Sequence, residues 1–378
     1  MKVAIVADWV ATFGGGERVL MELHSLFPEA PIFTSVWNED VLPPEMHGWD
    51  VRTSFLQRIP FAKRRYQLFL PLMPMAFEQF DLRGFDLVIT TNHACAKGVI
   101  TPANTVNLCY CYTPCRYLWD LYHDYTDGLR SQPLIAPVAH WLRLWDRLAA
   151  DRVDHFVAIS QEVARRVWKH YRRDSEVIYP PVDVQRFRPS GEPSEDFYLV
   201  VSRLVPYKRI DLAVEACTRL GRRLIVAGHG PERRRLEALA GPTVEFVGRQ
   251  SDEELASLYS RCRALLFPGL EDFGIAPVEA QAAGRPVIAY GKGGATETIV
   301  EGVTGMFFEE QAADSLAEAI QRHHSLRSDP RTCRKNAERF DRVEFRHRLA
   351  RTIAELTEAG QGPRAALRAV VDGSTSPG

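Results

Sequence analysis

The stretch Glu271-Asp272-Phe273-Gly274-Ile275-Ala276-Pro277-Val278-Glu279 separates an apolar run from a predicted helix. The run before it, 264–267, reads Ala-Leu-Leu-Phe, and a short, wholly apolar run of this kind indicates a buried parallel strand. Pro277 suits the first turn of a helix, which is predicted to continue to Ala283. The stretch is therefore predicted to be a strand-to-helix loop, with Glu271 on the loop and Glu279 one turn into the helix.

The residues on either side of this loop repeat the pattern of a strand followed by a helix. Strands are predicted at 197–202, 224–227, 244–247, 264–267, 287–290 and 306–308, and helices are predicted to begin near Lys208, Glu232, Asp252, Pro277, Ala295 and Ala312. This alternation specifies a parallel sheet with helices on both faces. Ligands bind such sheets at the carboxyl ends of the strands, where helix N-termini offer backbone N–H groups. Both glutamates are expected at that edge.

The first part of the chain begins with a strand, a glycine-rich loop and a helix. Further strands are predicted in this part, at 2–7, 32–36, 87–90, 106–112 and 156–159. The loop 13–18 (Phe-Gly-Gly-Gly-Glu-Arg) opens a helix that runs to about Leu26. Glycines let a backbone approach a ligand closely, and the first N–H groups of a helix can meet an anion. The loop is either a ligand-binding loop of a Rossmann-like unit or a tight turn, and it is not a dinucleotide fingerprint.

Length and composition limit the function classes. The chain has 378 residues, enough for two domains, and its 47 Lys and Arg against 48 Asp and Glu leave no overall charge that would attract nucleic acid. Its seven cysteines are odd in number and lack a C-x2-C pair, which predicts reduced, buried thiols and no zinc. No signal peptide and no apolar run long enough to span a bilayer are recognised. The predicted location is therefore the cytoplasm, including the inner face of a membrane.

A polar segment rich in Pro, Gly and Ser, 186–196 (R-F-R-P-S-G-E-P-S-E-D), has the composition of a linker. The predicted N-terminal domain is 1–188 and the predicted C-terminal domain is 189–335. A further helical part is predicted at 336–360. The small and polar residues 361–378 are predicted to form a flexible tail.

Several motifs occur in an order that resembles the retaining glycosyltransferases of family 4. They are G-G-G-E-R at 14–18, V-S-R-L-V-P-Y-K-R at 201–209, A-G-H-G-P at 227–231, F-V-G-R at 246–249 and E-x7-E at 271–279. The resemblance covers nearly the whole chain. It implies the α/β fold called GT-B, in which two Rossmann-like domains with parallel sheets face a cleft and the C-terminal helices, here 336–360, return to the first domain.

The resemblance also implies which residues hold the nucleotide-sugar donor. Arg203 and Lys208 would neutralise the diphosphate, whose negative charge grows as the glycosyl bond breaks. Glu279 would accept hydrogen bonds from the ribose, and Glu271 would accept one from the transferred sugar. Further donor contacts are assigned to Gly15, Gly16, Gly228, Val247, Leu258, Phe273, Gly274 and Ile275. No D-x-D motif follows a predicted strand of this site, so the cationic side chains are expected to replace a metal, with no cofactor.

The chain departs from the family at one position. Close relatives have His-Thr-Pro where this chain has Tyr112-Thr113-Pro114, and the family places that histidine beside the transferred sugar. The Tyr112 hydroxyl can still hold a sugar oxygen, although its reference pKa of about 10 makes it a poor proton acceptor. His93 follows another predicted strand and is either a second participant or a structural residue. Both are candidate catalytic residues together with Glu271, Arg203 and Lys208.

Residues 58–77 combine cations with a proline-interrupted apolar segment. The cations are Arg58, Lys63, Arg64 and Arg65, and the apolar part is 68–77. Such a segment can lie in a membrane interface, where anionic lipid headgroups attract its cations. Alternatively, the apolar part packs on the sheet and the cations lie in water. A peripheral membrane contact is thus one of two interpretations.

The choice of substrate depends on motif likeness alone. The segments 110–120 and 201–211 most resemble bacterial mannosyltransferases of surface-polysaccharide assembly, which favours GDP-mannose as donor and a glycan or lipid-linked acceptor. The alternatives are a UDP-sugar donor, a sugar-nucleotide epimerase of the same fold, and a non-catalytic sugar-nucleotide binder. A glycogen-type phosphorylase would need a lysine for pyridoxal phosphate that no motif indicates. An oxidoreductase would need a dinucleotide fingerprint.

Overall fold

The computed structural model describes residues 1–126, 132–323 and 328–371. Contacts within the chain divide it into two units. The first unit consists of 1–159, 163–178 and the chain from Phe345 onward, and the second consists of 160–162 and 179–344. Each unit has one parallel β-sheet with helices packed on it. The predicted α/β class with two Rossmann-like units is confirmed.

The first unit contains a seven-stranded sheet in the order β3-β2-β1-β4-β5-β6-β7. Its strands are Val3–Ala7 (β1), Ile32–Thr34 (β2), Val51–Thr53 (β3), Leu87–Asn92 (β4), Val106–Cys111 (β5), His155–Ala158 (β6) and Glu176–Val177 (β7). The two edge strands, β3 and β7, were not predicted. They have three and two residues, none of which is buried, so neither shows the apolar run that marks the central strands.

Helices of the first unit surround a core formed by the apolar side chains of this sheet. They are Gly15–Leu26 (α1), Met73–Glu78 (α2), Tyr122–Thr126 (α3), Gln132–Ala149 (α4) and Gln161–Tyr171 (α5), whose first residues belong to the second unit. Val6 and Val88 of the sheet lie in one buried cluster with Phe77 of α2 and Leu142 of α4. The apolar part of 58–77 therefore contributes to this core through α2, as one of the two interpretations requires.

The second unit contains a six-stranded sheet in the order β10-β9-β8-β11-β12-β13. Its strands are Tyr198–Val201 (β8), Leu224–Ala227 (β9), Val244–Gly248 (β10), Ala264–Phe267 (β11), Val287–Tyr290 (β12) and Gly305–Phe308 (β13). Each lies within one residue of its predicted bounds. For every strand except the edge strand β10, which contains the exposed Glu245, the agreement follows from the apolar character of the run, because a parallel strand covered on both faces has no polar alternation to blur its ends.

Seven helices are described in the second unit. They are Ile210–Leu220 (α6), Arg233–Leu239 (α7), Asp252–Arg261 (α8), Ile275–Ala282 (α9), Ala295–Thr298 (α10), Ala313–His323 (α11) and Pro330–Ala337 (α12). Helix α9 begins two residues before Pro277, which occupies its first turn. This position tolerates proline because the first N–H groups of a helix have no partner within it. The predicted end of α11 at Leu326 lies outside the described residues.

The last helix, Arg342–Val371 (α13), packs in the first unit from Phe345 onward. The Phe345 ring meets the Tyr110 ring edge-on at 5.6 Å, and the Thr352 hydroxyl donates to Glu176 at 2.8 Å. The predicted tail 361–378 belongs to this helix as far as Val371, and 372–378 lie outside the described residues.

The division between the units differs from the predicted boundary at 188. The chain enters the second unit at Tyr179, because residues after it pair there: the Val182 N–H donates to the Phe340 carbonyl at 2.9 Å. The linker composition of 186–196 therefore marks a surface segment of the second unit. Over the part of the chain that the structure describes, no helix is long and apolar enough to cross a membrane.

Candidate active site

The strand order of the second unit reverses between β8 and β11. Strands β9 and β10 lie on one side of this pair, and β12 and β13 lie on the other. The connections that follow β8 and β11 therefore run away from each other and leave a crevice at the carboxyl ends of the two strands, which is where open α/β sheets bind ligands. The loop 202–209 follows β8 and the loop 268–274 follows β11.

Lys208 and Glu271 meet across this crevice. The Lys208 Nζ forms an ion pair with Glu271 Oε1, and their side chains are 19% and 11% exposed. Lys208 ends the 3₁₀ turn Pro206–Lys208, which lies in the loop after β8. Gly269 leaves room for this turn, since a Cβ there would lie 3.0 Å from the Lys208 carbonyl. Two residues predicted to share one crevice are therefore in direct contact.

Tyr207 contacts both predicted cations, Arg203 and Lys208. Its hydroxyl accepts a hydrogen bond from Arg203 Nη2 at 3.1 Å, and its ring lies 5.3 Å from the Lys208 Nζ. Arg203 itself is exposed at the end of β8. The sequence interpretation did not single out Tyr207, although an aromatic residue between two cations of one motif was a usable signal.

Glu279 is buried and held by a second helix. It is 8% exposed on α9, and its Oε2 accepts a hydrogen bond from the Tyr259 hydroxyl at 2.8 Å. Tyr259 lies on α8 and is fully buried next to Leu258, which is also buried. The Tyr259 hydroxyl was not predicted as part of the site. It shows that Glu279 is a fixed group and not a solvated cap.

The backbone of the loop 271–275 is supported by the glycines that follow β12. The Gly294 N–H donates to the Glu271 carbonyl at 2.9 Å, and a side chain on Gly294 would overlap the backbone of Phe273. Gly274 has φ +89°, a conformation that favours glycine, directly before Ile275 opens α9. The G-K-G-G run at 291–294 was the sequence signal for this support.

Two other predicted donor contacts have structural roles in the second unit. Gly228 has φ +137°, and a side chain there would overlap the Ser202 carbonyl, so the loops after β8 and β9 pack together only with glycine. The Val247 carbonyl accepts a hydrogen bond from Gln250 Nε2 at 2.8 Å. Both residues thus have structural roles, and their contacts with the donor stay predictions.

The first unit has its own reversal of strand order, between β1 and β4. Asp8 follows β1 and is 1% exposed. Its carboxylate accepts four backbone hydrogen bonds at 2.6–2.9 Å, from the N–H groups of His93, Ala94, Cys95 and Ala96. The sequence interpretation missed Asp8, because the partners of this carboxylate lie about 85 residues away in the chain.

His93 lies beside Asp8 with a partly exposed ring. Its Nδ1 is 3.2 Å from Asp8 Oδ2, and its side chain is 30% exposed. The Trp9 ring meets the imidazole edge-on at 4.3 Å between ring centres. Burial lowers the pKa of His93; the Asp8 carboxylate opposes this effect, and Arg116 adds to it. The pKa of the ring therefore lies below its ordinary value.

Tyr112 contacts the glycine-rich loop. Its hydroxyl donates to the Gly16 carbonyl at 3.0 Å, and burial raises its pKa well above the ordinary value. Gly15 and Gly16 form the first turn of α1, and the Gly14 N–H donates to Glu17 at 2.9 Å. None of the three glycines has a positive φ, and a Cβ on Gly16 would only touch the Tyr112 ring at 3.7 Å. The backbone conformation therefore does not require these glycines.

Residues 58–77 present cations and apolar side chains on the surface of the first unit. Arg58, Lys63, Arg64 and Arg65 are all exposed. The exposed apolar side chains of the segment are Phe61 at 77%, Leu68 at 69%, Met75 at 46% and Leu72 at 39%. Buried residues such as Ala62 and Phe77 anchor the segment to the core. The apolar residues are thus divided between the core and the surface.

The cysteines are all buried and free, as predicted. Among the described residues, no group of three or more His, Cys, Asp or Glu side chains has an arrangement that could hold a metal ion.

Two family models match the chain, one to each half. The model described as Glycosyltransferase Family 4 matches residues 13–186, and the model described as Glycosyl transferases group 1 matches residues 183–340. Together they include His93 and Tyr112 in the first match and the Lys208–Glu271 pair in the second. The chain belongs to the glycosyltransferases with the GT-B fold.

Curated relatives of this glycosyltransferase match it over about half of its residues. An uncharacterized glycosyltransferase of Methanocaldococcus jannaschii is 27% identical over 183 residues, which are 47% of this chain and 52% of the relative. The D-inositol 3-phosphate glycosyltransferase of Mycobacterium bovis is 30% identical over 212 residues, which are 49% of this chain and 44% of the relative. The chain thus spans about half the length of these relatives.

Solved structures match nearly the whole glycosyltransferase chain. Sucrose-phosphate synthase from Thermosynechococcus elongatus matches with a TM-score of 0.73 and 19% identity, over 95% of this chain and 100% of that one. Anabaena HepE in complex with UDP matches with a TM-score of 0.72 and 18% identity, over 94% of this chain and 100% of that one. At these identities the likeness shows the fold, and the predicted GT-B fold is confirmed.

Proposed function

We propose that this glycosyltransferase transfers a hexose from a nucleotide-sugar to a glycan or lipid-linked acceptor, with retention of anomeric configuration. The observation that carries the proposal is the Lys208–Glu271 ion pair at the strand-order reversal of the second unit. It places a cation and a carboxylate together in the crevice where this kind of sheet binds ligands. A nucleotide-sugar needs both, since it has an anionic diphosphate beside a sugar rich in hydroxyls.

Lys208 and Arg203 are proposed to hold the diphosphate. An ammonium group has three hydrogen-bond donors, so Lys208 can retain Glu271 and still donate to a phosphate oxygen. A guanidinium offers a planar fork of donors, so Arg203 can retain Tyr207 and bind a second oxygen. As the glycosyl bond breaks, charge accumulates on the diphosphate and strengthens these contacts, which lowers the barrier. The proposal therefore needs no metal for charge neutralisation.

The two glutamates are proposed to bind different parts of the donor. A carboxylate can accept about four hydrogen bonds, so the ion pair leaves Glu271 capacity for a hydroxyl of the transferred sugar. Tyr259 likewise uses only part of the capacity of Glu279, which is proposed to accept from the ribose. Ile275 follows Gly274 at the start of α9, where backbone N–H groups can donate hydrogen bonds to the nucleotide-sugar.

The proposed reaction takes place on one face of the sugar. The oxygen of an acceptor hydroxyl forms a bond to the anomeric carbon while the bond from that carbon to the diphosphate oxygen breaks. The diphosphate keeps the electron pair of the broken bond and accepts the proton of the acceptor hydroxyl. No protein base is required for this step, and Lys208 and Arg203 act by stabilising the leaving group.

GDP-mannose is the first proposed donor, supported by the likeness of 110–120 and 201–211 to mannosyltransferase motifs. A UDP-sugar is the second, because HepE, which shares the fold, is described in complexes with UDP and UDP-glucose. A thermal-shift panel of nucleoside diphosphates distinguishes them. At one fixed concentration, the diphosphate with the lower dissociation constant stabilises the protein more. The stabilisation is about 2.7 kcal/mol when that concentration is a hundred times the dissociation constant.

Labelled donors then test the reaction itself. Transfer of label to an added glycan or lipid-linked acceptor is the expected result, with the anomeric configuration read by NMR. Epimerised donor would instead indicate a sugar-nucleotide epimerase. Binding without any turnover across the donor and acceptor panels would indicate a non-catalytic binder and would overturn the proposal.

A peripheral contact with an anionic membrane is proposed for 58–77. The support is the exposure of Phe61 and Leu68 beside four exposed cations, with no acidic residue between 58 and 77. Exposed apolar side chains next to cations suit the boundary between headgroups and acyl chains. This contact would bring a lipid-linked acceptor to the enzyme at a membrane surface.

A further inference from the structure

We infer that His93 hydrogen-bonds a substrate sugar hydroxyl through its Nε2, and that Asp8 is the positioning residue that sets the tautomer of this imidazole. The inference rests on the proposed sugar transfer and concerns the first unit. It also decides between the two candidates, His93 and Tyr112, for the position that a histidine occupies in close relatives.

Asp8 and His93 occupy the strand-order reversal of the first unit. Asp8 directly follows β1, His93 directly follows β4, and these two strands are neighbours in the sheet. The crevice of this unit therefore opens at these two residues. Asp8 is fixed there by four backbone N–H groups, which also fix the backbone of the loop that carries His93.

The loop that carries His93 has a second anchor on its other side. The Asn92 Oδ1 accepts a hydrogen bond from the Lys97 N–H at 3.1 Å. The Lys97 side chain is fully buried and forms an ion pair with Asp146 of α4, which is 1% exposed. The imidazole therefore extends from a rigid segment, as a group that must hold a ligand in one geometry requires.

The carboxylate of Asp8 determines which ring nitrogen of His93 is protonated. Asp8 Oδ2 is an acceptor, and Nδ1 lies 3.2 Å from it. Two acceptors at that distance repel each other, so the proton of a neutral ring belongs on Nδ1. Burial keeps the pKa of His93 below its ordinary value, which favours the neutral ring at pH 7. Nε2 then presents a lone pair.

That lone pair has no hydrogen-bond partner among the described residues, while the ring is 30% exposed. The hydroxyl proton of Tyr112 is used differently, because it is donated to the Gly16 carbonyl. Tyr112 therefore has no hydroxyl proton left to donate to a sugar oxygen, whereas the Nε2 of His93 offers a ligand a nitrogen lone pair. A neutral nitrogen acceptor attracts a hydroxyl proton and repels phosphate oxygens, which identifies the ligand group as a sugar hydroxyl and not the diphosphate.

The functional test replaces His93 by phenylalanine, which keeps a planar ring but removes the acceptor. His93→Phe is expected to lower kcat/KM by about tenfold, the effect of one hydrogen bond to a neutral partner. Binding of the nucleoside diphosphate, measured by calorimetry, is expected to stay unchanged, because Arg203, Lys208 and Glu279, which are proposed to hold it, belong to the second unit. The matched control is His155→Phe, since the side chain of His155 is also 30% exposed and lies beside a carboxylate. His155 is the first residue of β6, so it lies at the amino ends of the strands, whereas His93 lies at the carboxyl ends.

Equal activity of His93→Phe and wild type would overturn the inference. So would an equal loss in His155→Phe, because the loss would then reflect general destabilisation. If His93→Phe does not fold, His93→Gln keeps an acceptor at this position and is expected to retain more activity than His93→Ala. The same activity in both would again contradict the inference.

The tautomer is tested in wild-type protein labelled with nitrogen-15 histidine. At pH 7 the His93 signals, assigned by their loss in His93→Phe or His93→Gln, are expected to show a protonated Nδ1 and an unprotonated Nε2. The opposite tautomer, or a doubly protonated ring, would refute the role of Asp8. A wild-type protein that transfers no sugar would defeat the proposed function and with it the sugar contact of His93. The role of Asp8 would still be tested, because the tautomer is measured without turnover.

Discussion

The Lys208 Nζ and the Glu271 carboxylate form an ion pair between two residues 63 positions apart in the sequence. One residue belongs to the loop after β8 and the other to the loop after β11. Because both side chains are mostly buried, each restrains the position of the other. A donor that binds there meets a cation and a carboxylate already in place, so little ordering cost remains for the protein.

The first prediction is that the two glutamates fail differently. Glu271→Ala is expected mainly to lower kcat, since its proposed contact is with the sugar that moves. Glu279→Ala is expected mainly to raise KM for the donor, since the ribose is bound equally in the ground state and the transition state. Steady-state kinetics with varied donor concentration measure both constants. Identical kinetic defects would show that this division of roles is wrong.

A control for this experiment is Tyr259→Phe, which removes the hydroxyl that holds Glu279. Loss of a buried hydrogen bond to a charged group costs about 1.5–3 kcal/mol of unfolding free energy. Tyr259→Phe should therefore lower stability in urea while leaving Glu279 able to bind the ribose. Its effect on KM is expected to be smaller than that of Glu279→Ala.

The second prediction is that transfer continues after chelation. If Lys208 and Arg203 neutralise the diphosphate, dialysis against EDTA should leave kcat/KM unchanged, while Lys208→Met should lower it strongly. The loss expected for Lys208→Met is about a hundredfold or more, as for the removal of a preorganised group that stabilises developing charge. Activity that disappears in EDTA and returns only with Mg²⁺ or Mn²⁺ would contradict the assigned role of the cations.

The third prediction concerns membrane binding. Each exposed cation near an anionic surface contributes about 1 kcal/mol, so changing Arg58, Lys63, Arg64 and Arg65 to Gln should abolish flotation with vesicles rich in anionic lipid. Binding of the wild type should also weaken with added salt. The matched control is the same charge change at four exposed arginines of the second unit, Arg219, Arg223, Arg234 and Arg235. Equal flotation of both variants would leave 58–77 as a solvated surface.

The fourth prediction concerns the thiols. All seven cysteines are buried, and burial raises the pKa of Cys217, Cys262 and Cys333 to about 12. A raised pKa leaves the unreactive thiol form at neutral pH. A maleimide is therefore expected to add to none of the cysteines of the native protein at pH 7 and to all seven after denaturation, as counted by mass spectrometry. Rapid addition to the native chain would identify an accessible thiolate.

The fifth prediction separates stability from catalysis at Tyr112. Tyr112→Phe removes the hydrogen bond to the Gly16 carbonyl, which ties β5 to the first turn of α1. The free energy of unfolding should fall by about 0.5–1.5 kcal/mol. The loss in kcat/KM should stay below that of His93→Phe. A loss of several thousandfold with an intact fold and intact donor binding would assign the hydroxyl a chemical role.

Much of the candidate site could be predicted from local sequence. The strand before Glu271 and the helix after it were located to within two residues, because a short apolar run flanked by proline and glycine favours a buried strand and Pro277 suits the first turn of a helix. The contacts of Asp8 could not be predicted in this way. In the sequence, nothing distinguishes Asp8 from other polar residues that follow a strand. Its contacts form only because β1 and β4 are neighbours in the sheet, which places residues 93–96 next to it.

Composition and periodicity by themselves determined the α/β class, the bounds of the central strands to within two residues, and the loops that contain Lys208 and Glu271. These features depend on interactions between residues close in the chain. The tertiary structure alone decided that Lys208 pairs with Glu271, Tyr259 with Glu279 and Asp8 with the loop of His93. The physical reason is that each of these contacts requires packing between separate strands or helices, and no local pattern of residues specifies which elements become neighbours.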